Sequence, residues 1–400
     1  MEKKIKKLFP DYLLIYLIFL LLFSFIFLSN TYDVDTNNAI AEWLINYQGG
    51  FGRRGLLGEI FVQISLLTDI NFKLLILYFL IFIQTVYYYL IYQIFKIIKF
   101  EFLVLLCFCS PLFIIFPLAE LEALGRKDIL IPLFFMIFCA FYQRLNFYKL
   151  SFFLLLIYSP LLFIHEVSIF YLPYFYFFLI LKFNLSDVKN YFVILIISII
   201  FLFIIYLLSQ SVHSSSDINK MCNFLMNSLS TKCGLGAFVL DRSLKDNINE
   251  LSGISFIDLI RGIWIFFLGY IGLILLIFKT NFKNTDNNVL LKNLTPAASI
   301  LLLFLPTLVP FFIAVDWGRW FNLSYTMSLL FYFICYNNNF FIIVNNSISE
   351  KVKKISNMKI LSFILIFLIC FSWNPKAVYH EDIGSIPLYR IIVKSIKYTF

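Results

Sequence analysis

The chain has 400 residues, of which 61 % are hydrophobic, 20 % aromatic and 14 % charged, with a formal net charge of +9. A soluble domain carries roughly a quarter charged residues and about half apolar ones, which excludes an ordinary cytosolic enzyme, a nucleic-acid-binding module and a disordered tail. What remains is an all-α, polytopic membrane helical bundle whose lysines belong on cytoplasmic loops.

Residues 1–11 carry Lys3, Lys4, Lys6 and Lys7 and precede an apolar run from Tyr12 to Ser29. That run is too long for a signal-peptide core and no small-residue cleavage site follows, so it predicts a first span. Further apolar runs lie near 73–95, 101–118, 129–142, 150–164, 167–183, 191–208, 259–278, 297–315, 322–343 and 359–373. Together they predict about eleven membrane helices in a single integral membrane domain over 1–400. The runs at 129–142, 150–164 and 167–183 are short, as tilted or broken helices are.

Orientation follows from the basic residues. With the N-terminus cytoplasmic, the inner loops receive Lys96, Lys99, Arg144, Lys149, Lys182 and Lys189. They also receive Lys279, Lys283, Lys292, Lys351, Lys353, Lys354 and Lys359. The opposite side receives most of the acids. Its segments are 30–72, 119–128, the turn 165–166, a large extracytoplasmic loop 209–258, the turn 316–321 and the C-terminal tail 374–400. The tail fits this partition least well, because it carries Lys376, Arg390, Lys394 and Lys397.

The outer segments hold the chemistry. Asp33, Asp35 and Glu42 follow the first span. A carboxylate there is a candidate general base for a sugar hydroxyl; a solvated loop with helix-capping aspartates is the plainer alternative. Gly49, Gly50, Gly52 and Gly55 then surround Arg53 and Arg54. From Leu56 onward, Leu57, Ile60, Phe61, Ile64 and Leu67 recur at helical spacing, with Glu59 and Gln63 off the stripe. This predicts a juxtamembrane amphipathic helix near 56–67. Glycine backbone N–H groups, a helix N-terminus and arginine forks all suit phosphate oxygens. The pattern fits capture of a lipid-linked phosphate or diphosphate, or equally a tight turn whose arginines touch lipid headgroups.

Arg126 and Lys127 stand beside Asp128 in LEALGRKDIL, against the positive-inside bias. Arg126 is a candidate phosphate ligand and Asp128 a candidate helix cap. His165 and Glu166 interrupt the apolar stretch LLFIHEVSIFYLP. Ionisable residues at membrane depth are functional candidates by default. The pair does not make a zinc site, since the other histidines are His213 and His380. In the loop 209–258, a disulfide between Cys222 and Cys233 is expected if the loop is extracytoplasmic, and the loop is long enough for a lid. In AVDWGRWFN, Asp316 and Arg319 are three apart, so they pair on one helical face or converge on a ligand. Trp317 and Trp320 suit an interfacial belt.

No P-loop, dinucleotide fingerprint, Gly-x-Ser-x-Gly elbow or zinc-protease motif is present, which argues against an ATP-driven pump. The length, span number, Phe- and Ile-rich composition and single large outer loop resemble bacterial O-antigen and capsule repeat-unit polymerases. Such polymerases often carry Arg, ten residues, then Gly in outer loops. Arg242 and Gly253 have that spacing in RSLKDNINELSG, as do Arg261 and Gly272, although the latter runs into a span. The resemblance implies a GT-C-like membrane fold in the bacterial inner membrane and no metal or other cofactor. It implies transfer of a growing glycan between polyprenyl-diphosphate carriers on the extracytoplasmic face. The expected partners are a lipid-linked oligosaccharide substrate, membrane lipids and a candidate chain-length regulator, with no nucleic acid. Arg53, Arg54, Arg126, Lys127, His165, Glu166, Arg242 and Arg319 are then the candidate substrate-binding residues, and Asp33, Asp35 or Asp316 the candidate base. Two other functions stay open: a GT-C-type glycosyltransferase using a polyprenyl-phosphate sugar donor, and a non-enzymatic transporter of lipid-linked glycan.

Overall fold

The computed structural model describes residues 2–33, 38–99, 101–183, 188–211, 214–241, 244–283, 294–344, 350, 354–377 and 386–399. Helices dominate. Among the described residues the one sheet joins two three-residue strands, Thr280–Phe282 and Phe341–Ile343, in antiparallel register.

Among the described residues, five helices are long and apolar enough to cross a membrane: Pro10–Thr31, Phe72–Phe95, Phe147–Ile164, Val188–Gln210 and Phe256–Phe278. At about 1.5 Å per residue, each is roughly 27–36 Å long, which matches the hydrocarbon core. Large apolar side chains face outward on them, such as Ile199, Leu202 and Phe203. The protein is an all-α membrane protein.

The other predicted spans take different forms, and prolines explain most of the breaks. The run at 101–118 gives a helix Phe102–Phe108, stops before Pro111, and resumes at Phe116–Ala119. A residue preceding proline disfavours the helical region, which ends the first piece near Ser110. The run at 297–315 begins as the α-helix Pro296–Phe304 and tightens to a 3-10 helix, Leu305–Phe312. Pro306 and Pro310 remove backbone donors there. The run at 167–183 divides into the 3-10 helix Glu166–Tyr171 and the α-helix Leu172–Lys182. Leu130–Phe141 and Lys359–Phe371 are single short helices.

The chain divides into two compact units: residues 1–23, 88–121 and 248–400, and residues 24–87 and 122–247. In the first, the helix Trp317–Asn337 is buried along nearly its whole length. Asn322 and Tyr325 fix it by donating to the carbonyls of Leu112 and Cys107 at 2.8 Å each. The helix Phe256–Phe278 presents Gly272 to Leu106, where an added Cβ would lie 2.9 Å from the leucine side chain.

In the second unit, the described part of the predicted loop 209–258, up to residue 247, is largely helical. Ser214 and Asp217 form a capping box that starts the helix Ser215–Leu229. A 3-10 helix, Leu235–Asp241, follows, and Cys222 and Cys233 are joined by a disulfide. Ile218, Met221, Ala237 and Leu240 pack around Ile45. Gly49 meets this cap so closely that an added Cβ would lie 2.2 Å from the Asp217 carbonyl oxygen. The segment therefore sits as a small folded cap on residues near 45–49. Both thiols are expected to resist alkylation in unreduced, unfolded protein. Cys222→Ser is expected to weaken the cap by about 2–3 kcal/mol, as opening a short disulfide loop does, and to expose it to protease cleavage.

Candidate functional site

The site grows from the turn that precedes the amphipathic helix. That helix runs Leu56–Thr68, and its apolar residues divide between two faces. Gly58, Phe61, Val62 and Ser65 are buried, whereas Ile60, Ile64 and Leu67 are exposed, Leu67 by 83 %. The outward stripe suits a lipid surface. Gly58 lets the helix lie on the backbone of residues 43–45, because an added Cβ would be 1.8 Å from the Ile45 carbonyl oxygen. Gly58→Ala is accordingly expected to cost about 3 kcal/mol, at the upper end of overpacking effects, seen as a lower thermal midpoint in detergent.

Glu59 locks the turn to the helix. It accepts from the Tyr47 backbone N–H at 3.0 Å and from Gln48 Nε2 at 2.8 Å. Gly55 is needed beneath the Tyr47 ring, which would be 2.3 Å from an added Cβ. Gly49, Gly55 and Gly58 thus serve close packing. Gly50 supplies a left-handed backbone (φ 128°), and Arg54 adopts φ 66° despite its side chain. A left-handed non-glycine residue costs about 1–2 kcal/mol.

Arg54 is held in that conformation from both ends. Its Nε and Nη2 donate to the Glu166 carboxylate at 2.9 and 2.7 Å. Its carbonyl accepts from Lys127 Nζ at 2.7 Å. Lys127 is fully buried, 5.6 Å from the centre of the Trp43 ring, and Trp43 Nε1 donates to the Gly125 carbonyl at 2.6 Å. Arg126 pairs with Glu42. His165 Nε2 meets Asp128 Oδ1 at 2.7 Å, and His165 Nδ1 is buried without a hydrogen-bond partner among the described residues. Arg53 Nη1 stands 4.0 Å from Glu166 and is the most exposed of the four cations, with 28 % of its side chain accessible.

The electrostatics follow from burial and pairing. Burial alone would raise the Glu166 carboxyl, but its neighbours, Arg54 foremost and then His165 and Arg53, together outweigh it and hold the group well below the usual carboxylate range. Burial pushes the Lys127 ammonium down to about 7; Glu42 opposes the shift and Arg54 adds to it. An unfolded lysine titrates near 10.4. Between about pH 7 and 10 the unfolded chain therefore holds a proton at Lys127 that the folded chain lacks, so stability rises with pH in that window. Lys127→Met is expected to flatten this rise in thermal midpoints measured across pH 7–10.

Three segments singled out in the sequence therefore meet here: Arg53–Arg54, Arg126–Asp128 and His165–Glu166. No family model, curated protein or solved structure matches the chain. The chemistry of the cluster is what its own side chains supply: arginine forks suited to oxyanions, a buried lysine that holds the Arg54 carbonyl, and carboxylates as internal counter-ions.

The remaining candidates lie elsewhere. Asp33 is paired with Lys73 Nζ at 2.8 Å. Asp35 and Arg242 lie outside the described residues. Asp316 and Arg319 belong to the first unit and pair with each other at 2.5 Å, with the Arg319 guanidinium 5.1 Å from the Trp320 ring centre. Glu42, a candidate base in the sequence, is instead the buried counter-ion of Arg126; the contribution of Trp43 was not separable in the sequence from that of an ordinary polar loop. The one available sign was a tryptophan between Asp33 and the Gly-rich turn. Among the described residues, no group of three or more His, Cys, Asp and Glu side chains is placed to hold a metal ion.

Proposed function

We propose that this protein is a GT-C-like repeat-unit polymerase of the bacterial inner membrane. With the N-terminus cytoplasmic and about eleven membrane segments, it transfers a glycan between polyprenyl-diphosphate-linked intermediates on the extracytoplasmic face. The observation that carries the proposal is the gathering of Arg53, Arg54 and Arg126, with Lys127 buried behind Arg54, at the start of a helix with an outward apolar stripe. Cations beside such a stripe suit a phosphate at the lipid headgroup level.

In the proposed reaction an acceptor sugar hydroxyl attacks the anomeric carbon of the donor glycan. The bond to the diphosphate oxygen breaks and its electron pair leaves with the diphosphate. Arg53 and Arg54 stabilise that developing charge. A carboxylate takes the hydroxyl proton: Asp33 does so only on leaving Lys73, with which it pairs, and Asp35 is the other candidate after the first span. Glu166 holds the Arg54 fork in place until the diphosphate arrives, and the His165–Asp128 pair positions the residue beside it.

A lipopolysaccharide or capsule gel on a deletion strain and its complemented parent tests the assignment. A ladder collapsed to core plus one repeat is expected. Complete loss of the repeat would favour single-sugar transfer from a polyprenyl phosphate, or transport. An unchanged ladder would overturn the proposal.

A further inference from the structure

The last helix, Pro387–Thr399, is amphipathic in the sense opposite to that of a water-facing helix. Leu388, Tyr389, Ile392, Val393 and Ile396 are all exposed. At about 100° per residue these five side chains fall within one arc of about 140°. The opposite arc holds Pro387, Arg390, Ile391 and Lys394. Ile391 is buried, Arg390 pairs with Glu120, and Lys394 Nζ donates to the Ala119 carbonyl at 2.5 Å. Asn374 completes the contact by donating to Glu120 Oε1 at 3.3 Å. Arg390 and Lys394 are turned into the protein and the apolar arc is turned out.

The span Phe256–Phe278 gives this helix a side. At the end of the span, Lys279 lies 4.0 Å from Glu101, and the strand Thr280–Phe282 pairs with Phe341–Ile343. The two chain segments that leave this end carry Lys283, Lys292, Lys351, Lys353 and Lys354 in sequence. Near the start of the span, Gly262 faces the Trp317 ring, 3.1 Å from an added Cβ. The next residue, Gly318, donates its N–H to the Ala377 carbonyl at 3.2 Å and leaves no room for a side chain against Lys376. Residues 374–377 thus sit toward the start of the span, and Asn374 shares Glu120 with Arg390. The lysine-rich end belongs in the cytoplasm.

We propose that Pro387–Thr399 is an interfacial helix on the extracytoplasmic face, with its apolar arc in the acyl region of the outer leaflet. A bilayer fits this arc because the same unit exposes Phe256, Ile257, Ile260, Ile263 and Trp264 along the start of its own span, where acyl chains cover them. Arg390 and Lys394 do not violate the positive-inside bias on this side, since Glu120 and the Ala119 carbonyl hold them. The inference does not depend on the reaction proposed above.

Reporters fused after Phe400 of the full chain read the side. Active alkaline phosphatase and dark green fluorescent protein are expected, and the reverse pattern overturns the proposal. Nitroxides on Ile392→Cys and Ile396→Cys in phosphatidylethanolamine–phosphatidylglycerol vesicles read the environment, with the unsubstituted protein as background for its free cysteines. An oxygen-to-nickel-chelate accessibility ratio above one is expected. A ratio below one overturns the proposal, as does protection from both, which would mean that a second copy or another protein covers the arc. Tyr389→Cys gives a further attachment point should either variant fail to fold.

Discussion

Arg53→Ala is expected to abolish long polymer while leaving the protein level unchanged. Arg53 is the most accessible cation of the cluster and stands 4.0 Å from Glu166, so its removal leaves the Arg54–Glu166 fork and the Lys127 contact in place. If Arg53 stabilises the leaving diphosphate, losing that donor costs about 10²–10³ in rate, as removal of a single oxyanion donor does elsewhere. A polymer ladder beside an immunoblot reads both quantities. A normal ladder at normal protein level would remove Arg53 from the reaction. Arg54→Ala is less informative, because it also strips the fork from a half-buried carboxylate.

Glu166→Gln is expected to destabilise the second unit by about 1.5–3 kcal/mol, the range for hydrogen bonds to a charged group, since the pair is half-buried. The substitution keeps the shape but removes the negative charge, leaving two adjacent arginines and Lys127 without it. The sign of the pH dependence is fixed by the depressed Glu166 carboxyl. Its contribution is present above the unfolded value of about 4.3 and is lost as pH falls through the folded value. The parent protein should therefore lose stability on acidification below about pH 4, and Glu166→Gln should lack that component. Thermal midpoints in detergent at pH 3–7 measure both curves. Parallel curves for parent and variant would show that the pair contributes nothing to folding.

The parts of this site that are local in the chain were legible in the sequence. The spacing of Leu57, Ile60, Phe61, Ile64 and Leu67 gave the helix Leu56–Thr68 directly, because helical periodicity is a short-range property. His165 and Glu166 stood out because ionisable residues are costly within apolar stretches. Pairing was not legible. Arg54 and Glu166 are 112 residues apart, and Arg126 and Glu42 are 84 apart; a single sequence carries no record of which distant charges meet. Hydropathy also hid the breaks at Pro111, Pro306 and Pro310, since a proline-interrupted run remains as apolar as an intact helix. The cap at Ser214 was visible as Ser-x-x-Asp, but the polarity of its surroundings made it resemble an open loop.

Glu166 has one more consequence for a protein that works among phospholipids. A bare arginine pair at headgroup level would be occupied continuously by the phosphodiesters around it. The Glu166 carboxylate is a tethered competitor with a high effective concentration, and every incoming anion must displace it. A singly charged phosphodiester offers little advantage over that carboxylate, whereas a diphosphate brings more charge and more oxygens to the same forks. Under the proposed function, the built-in counter-ion is a threshold that favours a diphosphate over the singly charged phosphodiesters of ordinary lipids.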